Sequence, residues 1–209
     1  SHIVIIGAGY AGMMAAMRLN GQRRHQVTLV NANDQFIERI RLHQTAAHGY
    51  KAEHSLTKML AGTKVEFKQG WVSAVRPDQH EIVLGNALGH QGETLKYDRL
   101  LYALGSMTSA RIPGVKEYAN MLATPAEANR LRSELSGKPS GRLLVVGGGL
   151  TGIEIATELA QKYSGWQTTL IEMGQFGATL SLRGEAYVRD TFRKLNIKLI
   201  ENSRVSQLE

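Results

Sequence analysis

Short apolar runs that end on glycine and pass into helix-period apolar positions occur twice in this chain, in the same arrangement. The first is Ile3 to Ile6, a strand-like run that meets Gly7 and leads into a helix over Tyr10 to Leu19. A β-branched run, Gln26 to Val30, follows as a second strand. The segment Asp34 to Tyr50 has no steady period beyond a partial helix around Ile40 to Ala47. Ser55 to Leu60 predicts a short helix, and Thr63 to Lys68 a strand. Alternation broken by turn residues then predicts a small antiparallel meander over Gly70 to Val75, Glu81 to Leu84 and Thr94 to Lys96. The apolar run Arg99 to Leu104 predicts a buried parallel strand, and Gly105 to Gly114 a crossover or linker.

The second half repeats the opening. Thr124-Pro-Ala-Glu127 has the makings of a helix start: a capping hydroxyl, proline at the first helical position and an acid three residues on. That helix runs to about Ser136. The run "LLVV" then meets Gly147, followed by a helix over Thr151 to Tyr163 and a strand over Thr168 to Ile171. A helix over Gly184 to Leu195 and a strand over Ile197 to Ile200 come next, and "RVSQLE" has the pattern to begin another strand. The expected fold class is α/β, with two Rossmann-like modules, doubly wound and three-layered, the first carrying the small meander. The expected division is 1–110 and 111–209.

Both glycine loops satisfy G-x-G-x-x-G, with Gly7, Gly9 and Gly12 in the first and Gly147, Gly149 and Gly152 in the second. The first glycine of such a loop makes the tight turn, the second lets backbone reach a pyrophosphate, and the third lets the helix sit close to its strand. The phosphates then meet free N–H groups at the helix N-terminus. Ala11, Ala15 and Ala16, and Ala156 and Ala160, keep the two helices slim. One such loop is weak evidence; two, each between a strand and a helix and each followed by a second strand, point to two dinucleotide sites. The residue ending that second strand selects the ribose. Glu172 accepts from ribose hydroxyls and repels a 2′-phosphate, which favours NAD(H) over NADP(H). In the first module Asn31 stands in the acidic place, where an amide still hydrogen-bonds a ribose.

Composition narrows the chemistry. The 209 residues include no cysteine, which excludes a disulfide scaffold, a thiolate metal site or a Cys-x-x-Cys relay and makes the cytoplasm the default location. The net charge of +7 is spread in small clusters such as Arg23-Arg24 and Arg39-Ile40-Arg41. That is compatible with solvated surface or with attraction to dinucleotide phosphate or anionic lipid. No aromatic-interleaved basic stretch supports nucleic-acid binding. No apolar run approaches the roughly 20 residues of a membrane span. Met13, Met14 and Met17 predict helix packing. His43, His48 and His54 lack metal-ligand spacing and acidic company and read as surface or loop residues, and Glu158 has no assigned role.

The segments "IIGAGYAG", "FIERIRLHQTAAHG", "GWVSAV", "YDRLLYALGS", "IPG" and "VVGGGLTGIEIATELA" occur in an order that resembles the pyridine-nucleotide-disulfide oxidoreductase superfamily, in its type II NADH dehydrogenase-like branch. The resemblance covers essentially the whole chain, which corresponds to the N-terminal part of such a protein. It implies that the first module holds FAD and the second NAD(H). Gly7, Gly9, Tyr10, Ala11 and Gly12 would line the FAD pyrophosphate, Asn31 the adenosine ribose and Arg39 the phosphate and ribityl region. Val72 matches the position whose backbone pairs with adenine, and Ala103, Gly105 and Ser106 a strand end that passes the cofactor. Gly147, Gly149, Leu150, Thr151 and Gly152 would hold the NAD pyrophosphate, and Glu154 matches an acid near the nicotinamide. Leu104 for the usual threonine and Ile40 for a common proline depart from the family pattern, as Asn31 does.

The activity so implied is hydride transfer from NADH to FAD, with electrons passing on to a quinone, oxygen or a protein acceptor. Such chemistry belongs to the cofactors and needs neither a metal nor a Ser-His-Asp set. In the family a C-terminal domain carries dimerisation or membrane contact, which leaves a homodimer or peripheral attachment to the cytoplasmic face of a membrane open, and the basic charge favours a membrane-associated quinone acceptor. The alternative is a non-catalytic dinucleotide-binding or redox-sensing protein, similar to apoptosis-inducing-factor-like proteins.

Overall fold

The computed structural model describes residues 1–22, 24–85, 91–106 and 112–209. Arg23 and residues 107–111 of the expected 105–114 crossover lie outside the described residues. In chain order the elements begin with β1 (His2–Ile6), α1 (Tyr10–Asn20), β2 (Gln26–Asn31) and β3 (Gln35–Ile37). A 3-10 turn (Arg39–Arg41), α2 (Leu42–His48), β4 (Glu53–Ser55), α3 (Leu56–Met59) and β5 (Val65–Gln69) follow. Next are β6 (Trp71–Arg76), a second 3-10 turn (Pro77–Gln79), β7 (Glu81–Gly85), β8 (Gln91–Lys96) and β9 (Arg99–Tyr102). The remainder is α4 (Val115–Tyr118), α5 (Pro125–Ser136), β10 (Gly141–Val146), α6 (Leu150–Lys162), β11 (Trp166–Ile171), α7 (Leu182–Lys194) and β12 (Lys198–Ile200). The chain divides into two compact units, 1–37 with 53–107, and 38–52 with 108–209.

The first unit is built on a parallel sheet in the order β5-β2-β1-β9. Side chains alternate between faces along each strand, so Ile5, Val27 and Leu29 meet Met13 and Ala16 of α1 on one side. Val4, Ile6 and Val30 meet Ile82 and Leu84 of the meander β6-β7-β8 on the other. The meander is antiparallel throughout, as its turn-punctuated alternation predicts. Being covered on both faces is why β2 carries the unbroken apolar-and-threonine run "VTLV". Two sequence expectations are corrected here. β9 is parallel but not buried: it lies at the edge of the sheet, with Tyr102 69% exposed. Of the three α1 methionines only Met13 is core, since Met14 and Met17 fall on the helix's outer face. The irregular 34–50 segment contributes β3, which pairs antiparallel with β4.

In the second unit β10, β11 and β12 form a parallel sheet joined by α6 and α7. Ala156 and Ala160 of α6, Phe192 of α7, Leu170 of β11 and Phe176 form its core. The opposite face of β10 carries the exposed Leu144 and Val146. α2 packs on α5 and α6 within this unit. α5 begins with the capping box expected from its sequence: the Glu127 amide donates to the Thr124 hydroxyl at 3.2 Å, and the Glu127 carboxylate accepts from the Thr124 amide at 3.0 Å. "RVSQLE" forms no strand; the Leu208 amide donates to the Pro113 carbonyl at 2.9 Å.

Candidate functional site

Each parallel sheet ends, at the carboxyl end of its glycine-bearing strand, in a loop of the same construction. Gly7 and Gly147 adopt φ of +97° and +106°, a region closed to most side chains. Their amides donate to the carbonyls of Val30 and Ile171, the matching positions of the neighbouring strands, at 2.9 and 2.8 Å. A Cβ on Gly12 would lie 1.8 Å from the Gly7 carbonyl oxygen, and one on Gly152 1.9 Å from that of Gly147. The third glycine is therefore where helix backbone touches loop backbone. The middle glycines differ: a Cβ on Gly9 or Gly149 would meet nothing within 4 Å. Glycine there leaves open space before a helix start, and neither α1 nor α6 has a side-chain cap. A helix start without a side-chain cap, facing room at a glycine that has no packing neighbour, is what a dinucleotide pyrophosphate requires. Both loops fit that group.

A side-chain oxygen at the end of the second strand braces each loop. In the first unit the Ala8 amide donates to Asn31 Oδ1 at 3.1 Å, while Asn31 Nδ2 donates to the Asn33 carbonyl and side-chain oxygens at 3.0 and 3.2 Å. Both amide hydrogens are thus engaged, and Asn31 has only acceptor capacity left for a ribose hydroxyl. Asp34 is occupied elsewhere: it accepts from Thr57 and Ser55 at the start of α3, and those bonds hold its carboxyl below the ordinary aspartate value. In the second unit Glu172 accepts from the Gly174 amide at 3.0 Å and the Gly148 amide at 2.5 Å, and those amides hold its carboxyl below the ordinary glutamate value. These backbone bonds leave the carboxylate with an unused lone pair. Glu172 therefore stays anionic and can still accept from ribose hydroxyls.

The other expected site residues divide. Tyr10, partly exposed, stands edge-on to Phe36 beside the first loop, and Ala11 is exposed at the start of α1. The Ala103 amide donates to the Ile6 carbonyl at 2.8 Å, and its own carbonyl would lie 2.4 Å from a Cβ on Gly7, so β9 runs directly into the first loop. Gly105, at φ +73°, and the exposed Ser106 continue from there. Val72 faces Leu84 where the β6–β7 ladder is irregular and packs on the meander side of the sheet. Leu150 and Thr151 are exposed in the first turn of α6. Arg39 is exposed on its 3-10 turn, within the segment that groups with the second unit. Glu154 is half-exposed on α6, 3.6 Å from Nδ1 of His43.

That last contact corrects the reading of the histidines as lacking acidic company. His43 and His48 of α2 face Glu154 and Glu158 of α6, the second pair at 2.6 Å. Only the packing of α2 on α6 brings them together. Sequence reasoning also missed Asn33, Phe176, Arg189 and Glu201. A usable signal was the middle glycine of the run Gly147 to Gly149, where the first loop has Ala8: a Cβ on Gly148 would lie 2.9 Å from the Phe176 ring and 3.0 Å from Glu172. Among the described residues no cluster of three or more metal-ligating side chains occurs, and no helix is long and apolar enough to cross a membrane.

Parallel α/β sheets with glycine loops at their carboxyl ends define the class of dinucleotide-binding α/β folds. The match to the pyridine nucleotide-disulphide oxidoreductase family extends over residues 1–209, and the chain belongs to that family. It is 29% identical to the demethylphylloquinone reductase NdbB of Synechocystis over 77% of this chain and 43% of that protein. It is 27% identical to ferroptosis suppressor protein 1 of Taeniopygia guttata over 99% of this chain and 54% of the other. Among solved structures, NDH2 from Plasmodium falciparum in complex with NADH superposes with a TM-score of 0.81 at 21% identity, covering 100% of this chain and 49% of that one. The chain thus spans about half the length of the relatives it matches.

Proposed function

We propose that this chain forms the dinucleotide-binding part of an NADH-dependent flavoprotein oxidoreductase, with FAD seated on the first unit and NAD(H) on the second, each a Rossmann-like module. The observation that carries this is the repeated loop: positive-φ glycine, open middle glycine, contact glycine, and a bracing oxygen from the next strand. The relatives named as NADH dehydrogenase-like proteins and quinone-type reductases support the same reading. When bound, the nicotinamide supplies a hydride and the flavin accepts it and passes electrons to an acceptor, for which a quinone is the favoured class.

The protein's part is placement. Gly9 and Gly149 let the chain's backbone donors reach the pyrophosphates, and the uncapped starts of α1 and α6 add favourable dipole ends. Asn31 and Glu172 orient the riboses; Glu172, held ionised, also repels a 2′-phosphate. Ala103, Gly105 and Ser106 continue the wall beside the first loop, and Val72 offers backbone to an adenine. Glu154 would lie near the nicotinamide.

The test is to load the protein with FAD and add NADH without oxygen. Loss of the oxidised flavin absorbance is expected. NADH binding with the absorbance unchanged would replace this reading with a non-catalytic dinucleotide-binding protein, and failure to bind either nucleotide would end both.

A further inference from the structure

Glu172 does not hold itself in place. Its two backbone donors, Gly148 and Gly174, lie on different segments, the glycine loop and the stretch that follows β11. That stretch is anchored by Phe176, whose fully buried ring fills the space a Cβ on Gly148 would need. The Phe176 amide donates to the Glu201 carboxylate at 2.9 Å, and its carbonyl accepts from the Arg189 guanidinium at 3.3 Å. Arg189 lies over the Phe176 ring, 5.3 Å from its centroid. It grips Glu201 through two nitrogens, at 2.7 and 3.0 Å, and Glu185 through the third, at 2.8 Å. All three guanidinium nitrogens are therefore committed around one phenylalanine, in a bidentate geometry that fixes orientation as well as charge. The adjoining Gly177 turns at φ +80°, where a Cβ would lie 2.6 Å from the Glu185 side chain. The Asn202 amide, one residue beyond Glu201, donates to the Gly174 carbonyl at 3.0 Å. Three elements distant in sequence thus converge on the segment that carries Glu172.

The first unit shows the contrast. Its bracing residue, Asn31, is held by Asn33 two residues away, and Ala8 takes the place of Gly148. A neutral amide needs only that local tie. A carboxylate pressed against backbone amides has to be held against its own mobility and hydration, and there the longer-range framework occurs.

We propose that Arg189 and Glu201 are positioning residues for dinucleotide selection: by seating Phe176 against Gly148 they hold both amide donors on Glu172 and so fix the carboxylate that chooses a ribose 2′-hydroxyl over a 2′-phosphate. This rests on the second unit being the NAD(H) seat. Glu185 assists by filling the last guanidinium contact, and Phe176 transmits the constraint without itself reaching a nucleotide.

The experiment uses the 209-residue chain and two readouts on Arg189→Met, Arg189→Lys and Glu201→Gln. Amide hydrogen exchange by NMR should show Gly148 and Gly174 exchanging at least about tenfold faster in Arg189→Met and Glu201→Gln, while the Leu170 amide in the sheet keeps its wild-type rate. A general loss of stability would accelerate all three alike. The ratio of NADH to NADPH affinity should fall about tenfold in both variants. Arg189→Lys, which keeps the charge but cannot serve Glu201, Glu185 and the Phe176 carbonyl at once, should fall between; it decides the matter if Arg189→Met does not fold. Unchanged exchange at Gly148 and Gly174 and an unchanged affinity ratio in folded variants overturn the proposal. A wild-type chain that binds neither nucleotide overturns the NAD(H) seat instead, and the exchange rates still judge whether the clamp holds Glu172.

Discussion

Gly149→Ala and Gly152→Ala change the same loop by the same methyl group, and the structure assigns them opposite consequences. At Gly149 the backbone is extended, with φ −70° and ψ 175°, and a Cβ meets nothing within 4 Å. Alanine is a poorer helix cap than glycine by roughly 0.5–1 kcal/mol. Against that, replacing glycine reduces the freedom of the unfolded chain by about 0.4–1 kcal/mol. The two effects nearly cancel, so Gly149→Ala should keep its stability within about 0.5 kcal/mol, or about 2 °C in Tm. At Gly152 the added Cβ would lie 1.9 Å from the Gly147 carbonyl oxygen, a backbone atom with nowhere to go. α6 must move off its strand, and even after the gain of about 1 kcal/mol in helix propensity the cost should be about 1–3 kcal/mol, as for other overpacked sites. That is a Tm lower by about 2–12 °C. Nucleotide binding should not follow stability. Gly149→Ala, although stable, puts its methyl group where the pyrophosphate approaches and should weaken NADH binding at least tenfold, about 1.4 kcal/mol. Thermal melts and NADH titrations of the two variants decide it. A Gly149→Ala protein that melts as early as Gly152→Ala, or that binds NADH as wild type does, refutes the assignment of the middle glycine to ligand approach.

Glu172→Arg should move the NADPH-to-NADH affinity ratio upward by at least tenfold, because it exchanges a charge that repels a 2′-phosphate for one that pairs with it; equal ratios in titrations of both proteins would remove Glu172 from the ribose. The same residue should contribute to acid sensitivity. Its carboxyl titrates below the ordinary glutamate value in the folded chain, so its stabilisation is complete above the unfolded value and is lost as pH falls through the folded one. Urea midpoints of wild type and Glu172→Gln should therefore differ at neutral pH, and the difference should begin to shrink only as pH falls below the ordinary glutamate value of about 4.3. Thr124→Ala removes the hydroxyl end of the α5 capping box and should cost about 1 kcal/mol, a Tm lower by about 2–4 °C, whereas Thr124→Ser should melt with wild type.

What could be seen in advance follows how far apart the interacting residues are. The capping box spans four residues and was visible in Thr124 to Glu127; the glycine loops span six and were visible in their spacing. Parallel strands covered on both faces announce themselves as unbroken apolar runs, which is why β1 and β2 could be placed. The same rule misled at Arg99 to Leu104, because an edge strand can carry the composition of a central one. The β3–β4 pair is three residues a side, too short for any period to show. His43, His48, Glu154 and Glu158 each looked solitary because their meeting depends on one helix packing across another. Arg189 and Glu201 are two charges among many in the sequence, because their pairing beside Phe176 depends on α7 and the end of β12 meeting in the fold.

The two loops show what local pattern does and does not settle about chemistry. Their glycines are interchangeable in role, and nothing in G-x-G-x-x-G distinguishes one seat from the other. The distinction lies in the residue that braces the loop and in what holds it. Asn31 spends both its amide hydrogens on Asn33, offers a ribose an acceptor and brings no charge. Glu172 brings a full negative charge, kept ionised by two backbone amides that depend on a buried ring and an arginine with all three nitrogens engaged. A charged and rigidly held brace suits a seat that must accept one nucleotide, refuse its 2′-phosphorylated counterpart and do so again at every turnover. The electrostatic difference between the two braces therefore supports placing NAD(H), and not its 2′-phosphorylated counterpart, on the second unit.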